Sequence, residues 1–182
     1  MIRYLAALII TCAPGVSSRA QAPIPSPERF VNIAFSLTAD SVRPHYFLLS
    51  GADTCRFVKY DYDELSKSLL EPIPISILNE LAEKVYHSDF HHLWNKDSLT
   101  RAICISRRQA DSILSLVPPK GDTTHFHDIF SFSLPQFTDD GKYAVIDLNI
   151  VCGSRCGAGS TCFFRRTETG WKFIGIHFNW YA

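Results

Sequence analysis

The sequence predicts an α+β domain in which a helix packs on a twisted antiparallel sheet with a C-terminal four-stranded meander, stapled by disulfide bonds. Three observations favour this class. Apolar residues recur at helical spacing in the middle of the chain, alternating apolar segments joined by short turns fill its last third, and three cysteines cluster between two of those segments.

Composition indicates a globular protein of ordinary domain size. The chain has 182 residues, of which 46% are hydrophobic and 20% charged, so it can bury a substantial core. Its 18 basic and 18 acidic side chains give a formal net charge of zero. Because there is no basic excess to neutralise phosphates, composition argues against nucleic-acid binding.

The first 22 residues have the pattern of a secretory signal peptide. Arg3 supplies a positive charge, an apolar run follows at 5–10, and Ala20-Gln21-Ala22 forms an A-x-A cleavage site. We therefore expect a signal peptide at 1–22, a single domain at 23–182, and a secreted or periplasmic location. No later apolar run is long enough to span a bilayer, so we expect no transmembrane segment in the mature chain.

Two alternatives stay open for this N-terminal segment. Cys12, preceded by Ile9-Ile10-Thr11, loosely matches a lipoprotein cleavage box in which the cysteine carries a lipid anchor, although threonine is unusual at that place. The segment could also form a buried strand or helix of the domain. We rank cleavage after Ala22 first.

The first half of the chain predicts two strands and one clear helix. The segment 29–37 is ambiguous between helix and strand, whereas 45–50 and 55–62 favour strands. A helix should begin near Pro74, because proline is well tolerated in a first turn, and it should fray near Ser88. The apolar stripe of this helix consists of Ile75, Leu78, Leu81, Ala82 and Val85.

The second half predicts one more helix and a β-rich end. A strand at 99–105 precedes Ser106, which suits the N-cap of a helix that ends before Pro118. Further strands are expected in four segments, joined by short turns into an antiparallel meander. These segments are 129–134, 143–152, 160–166 and 171–178.

The segment CGSRCGAGSTC at 152–162 allows several chemistries that its context disfavours. A structural zinc site would need a second pair of closely spaced ligands, which the segment does not offer. A thioredoxin-type dithiol has two residues between its cysteines and lies at the start of a helix, whereas Cys152 and Cys156 are separated by three residues between predicted strands. A phosphate loop would carry a lysine before its Ser-Thr pair, and a papain-like nucleophile would head a long helix. We interpret the segment as a turn that its glycines permit, fixed by a Cys152–Cys156 disulfide; Cys152–Cys162 is the competing pairing.

The other cysteines predict a second bridge. In an oxidising compartment, Cys55 and Cys104 are the natural pair, which would tie the N-terminal part of the domain to the strand at 99–105. An odd cysteine then remains. Cys162 is its simplest identity, buried on a strand face as a small apolar residue.

Four motifs of the C-terminal third resemble those of uncharacterised secreted bacterial proteins, especially of Bacteroidetes. They are F-S-x-P-x-F at 132–137, D-G-K-Y-A at 140–144, C-G-x-x-C-G-x-G at 152–159 and a closing G-W-K at 170–172. The resemblance implies secretion and a strand-rich segment, and no activity comes with it. The order of helix and sheet is also similar to that of the cystatin-like and NTF2-like α+β group.

Polar residues on the longest predicted strand suggest a ligand pocket. Tyr143, Asp147 and Asn149 share one face of the strand at 143–152. If that face encloses a cavity, these three side chains would be the polar groups that bind a ligand there. An NTF2-like enzyme with a pocket at Asp147 is then an alternative function. A simply solvated face is the structural alternative.

Four histidines suggest a second enzymatic alternative. His87 and His91 would share a helix face, and His125 and His127 would share a strand face, so together they could hold zinc for a hydrolase. No H-E-x-x-H motif is present, and exposed loop histidines explain the pattern as well. We therefore expect no bound metal and no cofactor.

The sequence as a whole favours a non-enzymatic binding or structural module. No catalytic constellation has the spacing that its chemistry requires. The expected partner is a protein or a small-molecule ligand whose identity the sequence does not give, and the zinc hydrolase and the NTF2-like enzyme remain the alternatives.

Overall fold

The computed structural model describes residues 23–38, 45–55, 57, 62–88, 91–116, 128–153 and 156–181. The predicted signal peptide with Cys12, and the histidines at 125 and 127, lie outside these ranges. None of the helices in the described ranges is long and apolar enough to cross a membrane.

The predicted α+β class is confirmed, with a seven-stranded mixed sheet at its centre. The strands are β1 (Tyr46–Leu49), β2 (Ala102–Ile105), β3 (Ile129–Phe132), β4 (Gln136–Phe137), β5 (Tyr143–Gly153), β6 (Cys156–Thr167) and β7 (Gly170–Tyr181). The strand order is β2-β1-β3-β5-β6-β7, and the short β4 pairs with β5 beside β3.

The C-terminal meander is confirmed, while the N-terminal edge of the sheet adds parallel pairing. The pairs β3–β5, β5–β6 and β6–β7 are antiparallel, as the meander requires. Strand β1 instead runs parallel to both β2 and β3. Parallel neighbours need long connections, and the connection from β1 to β2 contains two of the α-helices.

In the part of the chain that the structure describes, four α-helices cover the sheet: α1 (Pro27–Thr38), α2 (Tyr62–Ser68), α3 (Ile75–Tyr86) and α4 (Arg107–Leu114). The ambiguous segment 29–37 lies in α1, because Phe30, Val31, Ala34 and Phe35 form one buried stripe at helical spacing. Helix α3, which follows Pro74, confirms the helix predicted to begin near that residue. Helix α4 begins with a capping box in which Ser106 Oγ accepts from Gln109 N, and Gln109 Oε1 accepts from Ser106 N at 2.8 Å.

The strand predicted at 55–62 is contradicted at Cys55, Phe57 and Tyr62, the residues of this segment that the structure describes. Cys55 and Phe57 lie outside any strand, and α2 begins at Tyr62. Both side chains are buried, and the Phe57 ring packs edge-on against Phe163 at 5.3 Å. Two residues whose side chains are buried in the same apolar cluster give the alternating pattern of a strand even though neither of them belongs to one.

Helix α1 covers one face of the sheet. The Phe30 ring packs edge-on against Phe137, Phe164 and Trp171 with centroids 5.0–5.3 Å apart. Farther along the same helix, the Phe35 ring stacks on Tyr46. Aromatic pairs of this kind add to the free energy gained by burying apolar area.

Helices α2, α3 and α4 cover the opposite face. Ala144 and Ile146 point toward α1, so the intervening Val145 points the other way, into the cluster formed by α2 and α3. Helix α4 packs through Ala110 on Ile129 near the far edge of the same face. The sheet surface between these two apolar clusters is polar.

A buried carboxylate fixes the start of α1. Glu28 Oε1 lies 3.1 Å from His92 Nε2 and accepts a hydrogen bond from Asn95 N at 3.3 Å. Burial acts to raise the pKa of Glu28, but the hydrogen bonds from backbone N–H groups and from His92 outweigh it and lower the pKa below the usual value. The ionised carboxylate thus joins α1 to the segment before the 3₁₀ helix Lys96–Ser98.

Replacing this carboxylate should destabilise the protein in a pH-dependent way. Glu28→Gln should lower the free energy of unfolding by about 1–3 kcal/mol at pH 7, because it weakens charge-assisted hydrogen bonds. The lowered folded-state pKa means that this contribution is present above the unfolded value of 4.5 and is lost as the pH falls through the folded value. Urea unfolding at pH 7 and at pH 3.5 should show the difference between wild type and variant shrinking in acid.

Glu83→Gln is the matched control. Glu83 is exposed, and its carboxylate lies 3.9 Å from His87. Such a surface pair contributes little, so this variant should unfold like the wild type at both pH values. Equal effects of the two substitutions would contradict the role given to Glu28.

Candidate functional site

A polar strip crosses the sheet between the apolar clusters of α4 and of α2–α3. Its residues are buried although they are polar, and they come from three neighbouring strands and the residue after β3. The members are Ser131, Ser133, Asp147, Asn149 and Thr161. Buried polar groups need hydrogen-bond partners, and here they find them mainly in one another.

A cavity of about 360 Å³ lies between this strip and helix α4; we call it the α4 cavity. Arg107 and Asp111 line it from the helix, and Asp53 lines it from the loop after β1. Ser131, Asn149 and Trp180 line it from the sheet. The rest of the lining is apolar: Leu49, Ala110, Leu114, Ile129 and Val151.

Hydrogen bonds hold the polar floor of the α4 cavity in one arrangement. Asp53 Oδ2 accepts from Ser131 Oγ at 3.1 Å and from Asn149 Nδ2 at 3.0 Å. Asp53 Oδ1 accepts from Thr54 N at 2.9 Å. Asn149 Oδ1 accepts from the indole N–H of Trp180 at 3.2 Å. The floor is therefore pre-organised before any ligand arrives.

Two glycines of β6 make room for the Trp180 indole. A Cβ built on Gly157 would lie 2.9 Å from Trp180 Cη2, and one built on Gly159 would overlap Trp180 Nε1 and Asn149 Oδ1. The indole thus lies across the backbone of β6. A β-bulge at Asn179 brings Trp180 opposite Gly159, and both side chains reach the same face, since Asn179 Nδ2 donates to Thr161 Oγ1 at 3.1 Å.

The structure confirms the Cys152–Cys156 disulfide and corrects the role of the glycines beyond it. The hairpin is short: Gly153 pairs with Cys156, and Gly153 has a φ of 151°. Gly157 and Gly159, expected in the turn, are strand residues of β6 without positive φ. They are needed because any side chain there would displace the indole.

Asp147 lies in the same strip, in a second buried cluster. Thr161 Oγ1 donates to Asp147 Oδ1 at 2.6 Å, and Asp147 N donates to Ser133 Oγ at 2.9 Å. Only 1% of Asp147 is exposed. Burial, followed by the charge of Asp147, raises the pKa of the neighbouring Cys55 thiol to about 12.

The predicted bridge between Cys55 and Cys104 was wrong: both are free thiols. Cys55 lies in the cluster under α2 and α3, whereas Cys104 pairs with Leu48 and packs on the α1 side of the sheet. The sheet separates the two sulfurs. Cys162, the predicted spare thiol, is free and buried as expected, and burial followed by the Asp147 charge raises its pKa to about 12.

The three pocket residues predicted from β5 separate in the structure. Asn149 lines the α4 cavity, and Asp147 is buried beside Thr161 and is not among the cavity-lining residues. Tyr143 packs against the α2–α3 cluster near the start of the strand. Of the three predicted residues, only Asn149 lines the α4 cavity.

The structure describes only two of the four histidines of the predicted zinc site. His87 is the C-cap of α3 and is exposed beside Glu83, and His91 is also exposed. His125 and His127 lie outside the described residues. Within the described ranges, no group of three or more His, Cys, Asp or Glu side chains is placed to hold a metal ion.

Sequence reasoning missed Asp53, Ser131, Arg107 and Trp180. Asp53 and Asn149 are 96 residues apart in the chain, so no local pattern connects them. Trp180 did leave a signal: glycines at 157 and 159 alternate within a strand, which is where an aromatic side chain of the next strand can cover the backbone.

The chain matches no known protein-family model, no curated protein and no solved structure.

Thiol chemistry tests the cysteine assignment. Under native conditions, iodoacetamide should modify half-buried Cys104 first, because burial raises the pKa of all three thiols but Cys55 and Cys162 are also shielded from the reagent. After unfolding without reductant, peptide mass spectrometry should find all three alkylated and Cys152 still joined to Cys156. Cys104→Ser should remove the fast phase alone. A linked Cys55–Cys104 peptide would restore the two-bridge prediction.

Filling the space under Trp180 should distort the cavity floor. Gly159→Ala should lower the free energy of unfolding by about 1–3 kcal/mol, because the methyl group displaces the indole and breaks its hydrogen bond to Asn149. The tryptophan emission should shift to longer wavelength. Gly51→Ala is the control, since its Cβ would have ordinary contacts of 3.9 Å or more. Equal stability of both variants would show that the indole does not need Gly159.

Proposed function

We propose that this protein is a secreted or periplasmic, non-enzymatic binding module that holds a small molecule in the α4 cavity. One observation carries the proposal. A cavity of small-molecule size has a floor of buried and half-buried polar side chains that hydrogen-bond to one another, and apolar residues of the sheet and of α4 complete its lining. Ligand sites typically combine apolar surface with polar groups held in fixed positions, and this cavity has both.

The state of the side chains favours binding over catalysis. The Cys55 thiol, next to Asp147, has a pKa of about 12 and is therefore protonated and a poor nucleophile at neutral pH. The carboxylate of Asp53 accepts three hydrogen bonds from the protein, so its position is fixed by the floor that it holds together. A fixed floor lowers the entropy cost of binding.

Two further observations support the location. The first 22 residues have the charge, apolar run and A-x-A site of a signal peptide. The Cys152–Cys156 disulfide is typical of oxidising compartments such as the periplasm. The motif resemblance to secreted proteins of Bacteroidetes agrees with this location.

Blocking the cavity tests the proposal. The mature chain 23–182 should be screened by thermal shift against free amino acids, nucleosides, monosaccharides and small carboxylic acids, with binding confirmed by calorimetry. Leu114→Trp places an indole in the cavity and should weaken binding by about 100-fold or more by occlusion. Leu116→Trp, at a position that is 67% exposed and not part of the lining, should bind like the wild type.

Two results would contradict the binding module. One is a screen in which no compound binds the wild type. The other is a ligand whose affinity Leu114→Trp leaves unchanged, because that ligand would bind elsewhere on the protein.

A further inference from the structure

We propose that the ligand of the α4 cavity is a zwitterion of amino-acid or dipeptide size, with its ammonium group held by the carboxylates of the cavity and its carboxylate held by Arg107. This inference rests on the proposed function and names the chemistry of its ligand. Three features of the lining lead to it: the unused hydrogen-bonding groups of the floor, the charges at the cavity, and the size of the space.

The polar floor has spare acceptors and almost no spare donors. Asn149 Nδ2 donates to Asp53 and lies 3.5 Å from Ser131 Oγ, the Ser131 hydroxyl donates to Asp53, and the Trp180 indole N–H donates to Asn149. Lone pairs remain on Asp53 and on Asn149 Oδ1, because a carboxylate and an amide oxygen accept more than these bonds. A ligand that fits this floor must bring N–H or O–H donors.

The charges at the floor favour a cationic donor. Asp53 is half-buried, and no cation pairs with it among the residues that the structure describes. Asp111 adds a second carboxylate from α4, also without a partner in the described ranges. The Trp180 ring lies beside them, and an aromatic face attracts cations. An ammonium group would satisfy the spare acceptors and the negative charge together.

Arg107 supplies the opposite charge at the same place. Its guanidinium has no hydrogen-bond or ion-pair partner in the described part of the chain, although Asp111 is one turn away on the same helix. Arg107, Asp53 and Leu49 also line an adjoining cavity of about 290 Å³, so Arg107 lies where the two spaces meet. A guanidinium there can bind a carboxylate through two parallel hydrogen bonds.

A single small zwitterion uses all of these groups. A simple amine would leave Arg107 without a partner and would place its ammonium group close to the guanidinium. A simple carboxylate would be repelled by the negative charges of Asp53 and Asp111. A neutral sugar could use the acceptors but would leave the three charges without partners. The cavity of about 360 Å³ is at the lower end of the range for small-molecule sites, which suits an amino acid or a dipeptide.

Chemically blocked ligands test each charge separately. Calorimetry on the mature chain should compare free amino acids and glycyl dipeptides with the same compounds N-acetylated, which removes the ammonium, or C-amidated, which removes the carboxylate. At least one free compound should bind, and each blocked form should bind about tenfold or more weakly, because one charged contact is lost.

Substitutions in the cavity should then remove separately the preference for a free ammonium group and the preference for a free carboxylate. Asp111→Asn, at an exposed position that does not endanger folding, should reduce the preference for the free over the N-acetylated form. Asp53→Asn should do so more strongly, provided that its unfolding curve stays cooperative. Arg107→Gln should abolish the preference for the free over the amidated form. Arg108→Gln, its exposed neighbour outside the lining, should change neither preference.

The outcomes separate this inference from the proposed function. If nucleosides, monosaccharides or simple carboxylic acids bind in a way that Leu114→Trp abolishes, while amino acids and dipeptides do not bind, the binding module stands and the zwitterion is wrong. Equal affinity for free and blocked compounds would also overturn it. If no compound of any class binds, both proposals fail.

Discussion

Burial of β5 on both faces is the constraint on which the rest of the structure depends. Its Ala144, Ile146 and Leu148 pack toward α1, and the residues between them face α2, α3 and α4. A central strand with two covered faces would ordinarily be apolar on both, yet this one carries Asp147 and Asn149. Since a buried polar group without a partner is costly, residues of the neighbouring chain segments must supply hydrogen bonds: Thr161 donates to the Asp147 carboxylate, Ser133 accepts from the Asp147 backbone N–H, and Ser131 accepts from Asn149.

That requirement separates the polar strip into a closed part and an open part. At Asp147 the hydrogen bonds and Cys55 fill the space, and the apolar cluster of α2 and α3 begins next to it. At Asn149 the helix above is α4, which packs on Ile129 nearer the sheet edge and leaves the α4 cavity between itself and the strip. The same polar strip therefore serves as packing at one end and as an accessible surface at the other.

Sequence and structure agree best where the determinants are local. Ser106 and Gln109 lie three residues apart and cap α4, the apolar stripe of α3 repeats at helical spacing, and the Cys152–Cys156 disulfide closes a short hairpin. Agreement fails where contacts are distant. The Cys55–Cys104 bridge was plausible by elimination, but the two thiols lie on opposite sides of the sheet. The strand predicted at 55–62 failed because alternation reports only which residues are buried, and not what they pack against.

By itself, the sequence determined the α+β class, the C-terminal meander, the helix after Pro74 and the hairpin disulfide, because each depends on residues within about a dozen positions of one another. Only the tertiary structure decided the mixed pairing of the sheet, the burial of Asp147, and the meeting of Asp53, Asn149, Arg107 and Trp180 at one cavity. These residues come from segments far apart in the chain. Their proximity follows from strand order and from the position of α4 on the sheet, which no local pattern encodes.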